Sequence, residues 1–235
     1  MKAIILAAGR GSRLLSLTDD RPKCLVELYG KPLLDWQIEA LRGAGIQGIT
    51  VVRGYLKDKI TGEFETLENP RWFKTNMVAT LMAARELLKQ DTCIVSYSDI
   101  VYPAEAVKRL VQDDEPLSIL YDPDWLTLWQ KRFDDPLSDA ESFKLDEKNF
   151  LVEIGRKNVK LEEIQGQYMG LLKFTPQSSG WVTDILEEDP KLHDTLDMTA
   201  LLQRLIDKGR QIKALPFRGK WCEIDSQRDL QVADG

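Results

Sequence analysis

Residues 2–14 read KAIILAAGRGSRL, an apolar run that passes directly into a glycine-rich stretch. Residues 2–8 have the length and apolar character of a strand buried on both faces, as in a parallel sheet. Gly9 and Gly11 break the run and let the backbone approach a ligand closely, so that N–H groups can bind phosphate oxygens. This stretch therefore predicts a buried β-strand followed by a phosphate-binding loop.

The rest of the chain alternates between helical and strand patterns. Pro32 is expected in the first turn of a helix in which Leu34, Ile38 and Leu41 recur at helical spacing. The alternation predicts an α/β fold, with a mostly parallel sheet between two layers of helices. Further strands are predicted at 48–53, 92–99, 117–121 and 167–174, a hairpin at 143–154, helices at 77–88, 103–112 and 197–209, and two short strands, IKALPF and KWCEID, before an acidic tail.

Composition narrows the class of protein. The 235 residues are 43% hydrophobic and 30% charged, which suits one α/β domain. No apolar run approaches the ~20 residues of a membrane-spanning helix, and the N-terminal run lacks the features of a signal peptide. The formal net charge of −6 argues against nucleic acid as a partner. Three widely spaced cysteines predict reduced thiols in a cytoplasmic protein.

Two cations accompany the glycine loop. Arg13 and Lys23 stand close to it in sequence, and a triphosphate with about four negative charges needs such partners. The P-loop pattern is absent, and Leu14 stands where the third glycine of the dinucleotide fingerprint would fall. A simple glycine turn with surface cations is the alternative, and the complete string through Arg21-Pro22-Lys23 argues against it.

Two carboxylates each end a predicted strand. Asp99 follows the strand at 92–99, and Asp225 closes the short strand CEID. Ligands of open α/β sheets bind at the carboxyl ends of the strands, and oxygen ligands from two strands suit Mg²⁺. Either aspartate alone is better explained as a helix cap or a turn residue. Their joint occurrence after the glycine loop favours a magnesium site.

The string G-x-G-[ST]-R, followed by eight residues and P-K, resembles the signature of the sugar-phosphate nucleotidylyltransferase family. The resemblance continues through TNMVATLMAAR, QYMGLLKF and CEIDSQRDL, and so covers nearly the whole chain. It implies a Rossmann-like, three-layer mixed sheet of the nucleotide-diphospho-sugar transferase type, with a glycosyltransferase-A-like topology. It also implies Lys23 and Arg13 as catalytic residues, Asp99 and Asp225 as Mg²⁺ ligands, and a nucleotide site formed by Leu6, Ala7, Ala8, Gly9, Gly11, Ser12, Arg13, Lys23, Asn76, Thr80 and Ser98.

The compact length, the N-M-x-x-T-L string at 76–81 and the EIDSQRDL ending resemble small cytidylyltransferases acting on phosphocholine or aminoethylphosphonate. This implies CTP as donor, a small phosphorylated or phosphonate acceptor, and pyrophosphate as the second product. Asn76 either reads a base edge or caps a helix. Two alternatives remain open, a sugar-1-phosphate nucleotidylyltransferase using UTP, dTTP or GTP, and a non-catalytic nucleotide-binding regulatory module.

Residues 1–235 are expected to form one domain, with an acceptor-binding insertion at about 122–173. Trp125 and Trp129 are four residues apart and would share a helix face, where they either cage an ammonium group or serve packing or a homodimer contact. Arg132, together with Arg156 or Lys157, is predicted to bind an anionic group of the acceptor. By resemblance, Tyr168 and Gly170 line the acceptor pocket.

Overall fold

The structure, a computed structural model, describes residues 1–234, with every side chain except those of Ser12, Leu15, Ser16 and Asp234. The strands are β1 (Lys2–Ala7), β2 (Glu27–Leu28), β3 (Lys31–Pro32), β4 (Ile49–Arg53), β5 (Glu65–Glu68), β6 (Cys93–Tyr97), β7 (Ile100–Val101), β8 (Leu117–Asp122), β9 (Phe143–Leu145), β10 (Leu151–Ile154), β11 (Gln167–Phe174), β12 (Lys213–Pro216) and β13 (Cys222–Glu223). The α-helices are α1 (Leu33–Gly43), α2 (Met77–Met82), α3 (Arg85–Gln90), α4 (Ala104–Val111), α5 (Trp125–Arg132), α6 (Pro176–Glu188), α7 (Leu192–Thr195), α8 (Met198–Asp207) and α9 (Gln227–Asp234).

A seven-stranded sheet in the order β12-β8-β11-β6-β1-β4-β5 forms the centre of the fold. Its neighbouring strands are parallel except around β11, which runs antiparallel to both β6 and β8. β1 lies between β4 and β6, and residues 3–7 are almost completely buried, as its apolar sequence predicts. The carboxyl ends of β1, β4 and β6 therefore share one edge of the sheet.

The first helix begins one residue later than expected. Pro32 pairs with Glu27 in β3 and directly precedes α1, so it stands outside the first helical turn. Leu34, Ile38 and Leu41 are buried, and Gly45 adopts a φ of 89° just after the helix. The helical stripe predicted at 77–88 is divided between α2 and α3, because Ala84 leaves helical geometry with φ −100° and ψ 20°.

The segment after β8 contributes to two different cores. The predicted hairpin is confirmed as β9 and β10, and its Phe143 joins the large core on one face of the sheet. The final strand of the segment, β11, belongs to the central sheet itself. The remaining parts of the segment form a small separate cluster that contains Trp125, Trp129, Ala140, Val159 and Ile164.

The chain end differs from the expected acidic tail. Residues 227–234 form α9, which packs near β13, and its Asp229 is only 3% exposed. A polar composition concealed this helix in the sequence. Across residues 1–234, no helix combines the length and apolar character needed to cross a membrane.

Candidate active site

The glycine loop after β1 passes close to Lys23. Gly11 has a φ of 72°, in the left-handed region that favours glycine. A Cβ placed on Gly11 would lie 2.7 Å from Cδ and 2.8 Å from Cβ of Lys23, so the glycine leaves space for the lysine stem. At the base of the loop, the carbonyl of Ala8 accepts a hydrogen bond from the N–H of Tyr55 at 2.9 Å. The loop is thus anchored to the β4 side of the sheet edge.

Lys23 lies in a short 3₁₀ turn and extends its ammonium group into the site. The side chain is 9% exposed, and Nζ donates to Oδ2 of Asp99 at 2.6 Å and to Oδ1 of Asp225. Burial lowers the pKa of Lys23, but the two carboxylates raise it by more, and the pKa ends above its usual range. Lys23 is therefore a buried cation held between two carboxylates.

A pair of two-residue strands brings these carboxylates together. Asp99 lies in the turn between β6 and β7, and β7 pairs antiparallel with β13. The N–H of Ile224 also donates to the carbonyl of Asp99 at 2.8 Å. Asp225 follows β13 by two residues, so this pairing places the Asp225 side chain beside the carboxyl end of β6.

Asp225 is bound by a second cation. Arg13, with a side chain that is 67% exposed, places Nη2 2.8 Å from Oδ2 of Asp225. Burial raises the pKa of Asp225, but the charges of Lys23 and Arg13 lower it by more, so this carboxyl is acidic relative to its ordinary value. The two predicted catalytic cations therefore meet at one of the predicted metal ligands.

Glu223 completes a group of three carboxylates that the sequence-based prediction missed. One oxygen each from Asp99, Glu223 and Asp225 lies within 4.8 Å of the others. Glu223 and Asp225 are two residues apart, the spacing at which strand residues share a face, and this signal in CEID could have identified Glu223. Burial and the nearby charge of Asp225 raise the pKa of Glu223 to about 7.

The three carboxylates fit a divalent cation. Oδ1 of Asp99 is buried and has no hydrogen-bond partner among the residues that the structure describes. A buried carboxylate oxygen without a partner is costly unless a ligand completes it. Oxygen-only ligands, converging from two parts of the chain, match the preference of hard cations such as Mg²⁺.

Behind the carboxylates lies a buried ionic network. Arg132, at the last residue of α5, has a side chain that is 1% exposed and contacts both Glu223 and Asp229 at 2.8 Å. Asp229 in turn accepts hydrogen bonds from the N–H groups of Asp225 and Ser226. The spacing S-x-x-D at 226–229 is a capping-box pattern, which could have revealed this function of Asp229 from the sequence.

Several of the predicted nucleotide residues have polar groups that are already paired within the protein. Asn76 caps α2, accepting from the N–H of Met77 at 2.8 Å and donating to the carbonyl of Thr195 at 3.2 Å. Thr80 Oγ1 accepts from Asn69 at 3.1 Å. Leu6 and Ala7 are buried in β1, and Ser98 lies in the turn before Asp99. The Ser12 side chain lies outside the described part of the chain.

Trp125 and Trp129 do not form an open cage. Each is 3% exposed, and their rings meet edge to face at 5.8 Å between centroids. The guanidinium of Arg132 lies 4.8 Å from the Trp129 ring centroid, so a cation of the same chain occupies that ring face. Both indoles are packed in the small cluster with Ala140, Val159 and Ile164, as the packing alternative describes.

The other predicted acceptor residues also have partners. Arg132 faces the carboxylates of β13 and α9, as described above, and not a pocket. Arg156 pairs with Glu153 and Glu163, and Lys157 contacts the carbonyl of Asp139 and the carboxylate of Glu141. The structure therefore leaves the choice between Arg156 and Lys157 open.

Two acceptor predictions fall on β11. Gly170 has a φ of 77°, at an irregularity in the pairing of β11 with β8, and a Cβ there would lie 2.9 Å from the Tyr97 ring. The absence of a side chain thus allows Tyr97 to pack against the strand. Tyr168 packs edge to face on the same ring, and its hydroxyl is buried without a hydrogen-bond partner within residues 1–234.

Comparison with known proteins identifies a family to which the chain is similar. A family model described as the MobA-like NTP transferase domain matches residues 3–131. The CTP:phosphoglutamine cytidylyltransferase of Campylobacter jejuni is 42% identical over 99% of this chain and 98% of its own length. The 2-aminoethylphosphonate cytidylyltransferase of Lancefieldella rimae is 34% identical over 45% of each chain.

The fold also matches a solved structure. The inositol-1-phosphate CTP transferase from T. maritima superposes with a TM-score of 0.76, over 99% of this chain and 94% of the other, at 22% sequence identity. This likeness concerns the fold alone. Because the family model covers more than half of the chain and the Campylobacter relative nearly all of it, the chain belongs to the MobA-like NTP transferase domain family.

Proposed function

We propose that the chain is a cytidylyltransferase, which transfers CMP from CTP to a small phosphorylated acceptor and releases pyrophosphate. The observation that carries this is the 42% identity, over 99% of the chain, to the Campylobacter jejuni CTP:phosphoglutamine cytidylyltransferase. The site geometry supports the reaction class, since a glycine loop, two cations and three carboxylates converge at one sheet edge.

We further propose Mg²⁺ as the ion that Asp99, Glu223 and Asp225 hold. The unpartnered Oδ1 of Asp99, within the described residues, offers a free ligand atom for it. When bound, such an ion neutralises charge on the phosphate oxygens of the nucleotide. Lys23 contacts two of the three carboxylates and so limits their mutual repulsion.

The transfer needs no covalent intermediate on the protein. A phosphate oxygen of the acceptor attacks the α-phosphorus of CTP, a P–O bond forms, and the bond to the bridging oxygen of pyrophosphate breaks. Arg13, which is largely exposed, can turn its guanidinium from Asp225 toward the leaving pyrophosphate. Lys23 and the N–H groups at Gly9 and Gly11 are proposed to hold the triphosphate, so that catalysis consists of positioning and charge neutralisation.

As the acceptor we propose a phosphorylated amino-acid amide, with phosphoglutamine as the first candidate. The similarity to the Campylobacter enzyme extends through residues 122–173, the segment predicted to bind the acceptor. The burial of Trp125 and Trp129 disfavours an acceptor whose ammonium group needs an aromatic cage. Tyr168, whose ring packs against Tyr97, is kept in the proposed acceptor site on the resemblance of QYMGLLKF to the family strand.

Pyrophosphate release with Mg²⁺, measured for each of the four nucleoside triphosphates against a panel of acceptors, tests this function. The panel contains phosphoglutamine, phosphocholine, 2-aminoethylphosphonate and hexose 1-phosphates, and Asp225→Asn serves as the inactive control. We expect release with CTP and a small non-sugar acceptor. Release only with a sugar 1-phosphate and another nucleotide would contradict the assignment, as would nucleotide binding without any release.

A further inference from the structure

On the basis of the proposed function, we infer that Arg132 is a positioning residue that holds the metal-binding carboxylates in place through Glu223 and Asp229. Arg132 contacts neither Asp99 nor Lys23 in the described structure, and it lies in α5, far in sequence from all three carboxylates. It acts through its two carboxylate partners and not on the substrate.

The guanidinium of Arg132 contacts two carboxylates. Nη1 donates to Oε2 of Glu223 and Nε donates to Oδ1 of Asp229, both at 2.8 Å. The group lies 4.8 Å from the Trp129 ring centroid and 5.1 Å from that of Phe133, which restricts its plane. The planar guanidinium therefore donates one hydrogen bond to Glu223, one of the three candidate ligands, and one to Asp229.

Asp229 connects Arg132 to Asp225. Asp229 uses its other oxygen, Oδ2, to accept from the N–H of Asp225 at 2.9 Å and from the N–H of Ser226 at 2.8 Å. The hydroxyl of Ser226 donates to the same oxygen at 2.9 Å. Asp229 thus fixes the backbone that carries Asp225, and Arg132 fixes the orientation of Asp229.

Burying the ion pair of Arg132 and Asp229 costs free energy. Arg132 and Asp229 have side chains that are 1% and 3% exposed, and desolvating a buried ion pair offsets most of the attraction between its members. In other proteins, replacing a buried ion pair by apolar residues often leaves stability unchanged, so stability alone does not account for such a network. Because this network ends on Glu223 and on the backbone of Asp225, orientation of the ligands accounts for it, as for outer-shell contacts of metal sites.

The substitution Arg132→Lys tests this inference. Lysine keeps the charge but lacks the planar guanidinium through which Arg132 contacts both carboxylates. The primary readout is Mn²⁺ affinity, measured by electron paramagnetic resonance with a non-reacting CTP analogue bound. Melting temperature, kcat and the acceptor KM are measured in parallel. We expect a 10- to 100-fold weaker Mn²⁺ affinity and a comparable fall in kcat, with the acceptor KM changed by less than threefold.

Arg228→Lys is the matched control. Arg228 also joins α9 to the end of α5, through the carbonyl of Lys131 and the carboxylate of Asp134, but its side chain is 45% exposed and touches no candidate ligand. The Arg228→Lys variant should bind Mn²⁺ with the affinity of the wild type. Asp229→Asn, which retains an acceptor for the backbone N–H groups but loses the charge facing Arg132, should repeat the Mn²⁺ effect and decides the matter should Arg132→Lys fail to fold.

Unchanged Mn²⁺ affinity in the folded variants would overturn the inference, as would a rise confined to the acceptor KM, which would make Arg132 a substrate contact. Absence of Mn²⁺ binding by the wild type would overturn it as well. The proposed function fails separately, when a wild-type protein that binds Mn²⁺ and the CTP analogue transfers no CMP. In that case the ratio of the Mn²⁺ affinities of the wild type and Arg132→Lys still shows whether Arg132 positions the ligands.

Discussion

At the scale of single residues, the site depends on a lysine that is buried among acids. Nζ of Lys23 contacts Asp99 and Asp225, while the lysine stem passes the position where Gly11 lacks a side chain. Gly11 therefore has a second effect beyond its backbone conformation, because its missing side chain allows Lys23 to reach the two carboxylates. Spacing in the sequence indicated that these residues act together, but it contained no information on their direct packing.

The paired substitutions Gly11→Ala and Gly30→Ala separate these two effects. Both glycines have a φ of 72°, so alanine costs about 1–2 kcal/mol of backbone strain at either site. Only at Gly11 would the new Cβ meet the lysine stem, whereas at Gly30 no described atom lies within 4 Å. We expect both variants to lose unfolding free energy, measured by denaturant titration, with the larger loss for Gly11→Ala, and a fall in kcat of tenfold or more only for Gly11→Ala. Equal activity of the two variants would refute the packing argument.

Glu223 gives the metal-free protein a pH dependence. Its pKa is raised to about 7 in the folded protein, above the value of about 4.3 in an unfolded chain. Between these values the folded state retains a proton that the unfolded state has lost, so the free energy of unfolding falls as pH rises. Asp225, whose pKa is lowered, is ionised in both states above pH ~5 and does not contribute there.

Glu223→Gln should remove this dependence. With EDTA present, the variant should gain at least about 1 kcal/mol of unfolding free energy relative to the wild type between pH 5 and pH 8. Denaturant titrations of both proteins at the two pH values measure the difference. A constant difference between them would show that Glu223 titrates normally in the folded chain.

At the scale of elements, the shortest strands assemble the site. The central sheet brings the glycine loop and Asp99 to one edge, but only the pairing of β7 with β13 adds Glu223 and Asp225. The long apolar strands could be predicted from sequence because burial on both faces leaves an apolar run. A two-residue antiparallel pair leaves no such pattern, and for this reason the partner of CEID could not be predicted.

Helical spacing alone could not show what the tryptophan face of α5 packs against. The spacing correctly places Trp125 and Trp129 on one helix face, yet it cannot tell whether that face meets a ligand or the protein. Likewise, the polar composition of α9 predicted a solvated tail, although the capping box at Ser226 and the buried Asp229 attach it to the site. In both cases the deciding contacts come from elements distant in sequence.

The burial of Trp129 predicts a change in stability and not in acceptor specificity. Trp129→Ala should lower the free energy of unfolding by about 3–5 kcal/mol, as for other buried aromatic residues. Thermal and denaturant unfolding measure this, with Trp36→Ala, at a half-buried tryptophan, as a control that loses less. Unchanged stability together with a selective rise in the acceptor KM would restore the ligand-cage interpretation.

At the scale of the whole molecule, the predicted α/β fold with a mixed, mostly parallel sheet is confirmed, and so is the predicted family. The acidic net charge is compatible with phosphate chemistry, because two cations are concentrated at the one sheet edge where the glycine loop lies. What the fold could not reveal is the acceptor. The cations predicted to bind it, Arg132, Arg156 and Lys157, are all engaged with carboxylates of the same chain.

The most direct test of the central claim is to follow the phosphorus atoms of CTP and phosphoglutamine by ³¹P NMR, with Mg²⁺ and the wild-type protein. We predict stoichiometric appearance of free pyrophosphate and of a CMP-linked product with a new P–O–P bond between CMP and the acceptor phosphate, with Lys23→Met slower by at least ~100-fold, comparable to losing one preorganised transition-state contact. Formation of CMP or CDP without the linked product, or equal rates in the wild type and Lys23→Met, would contradict it.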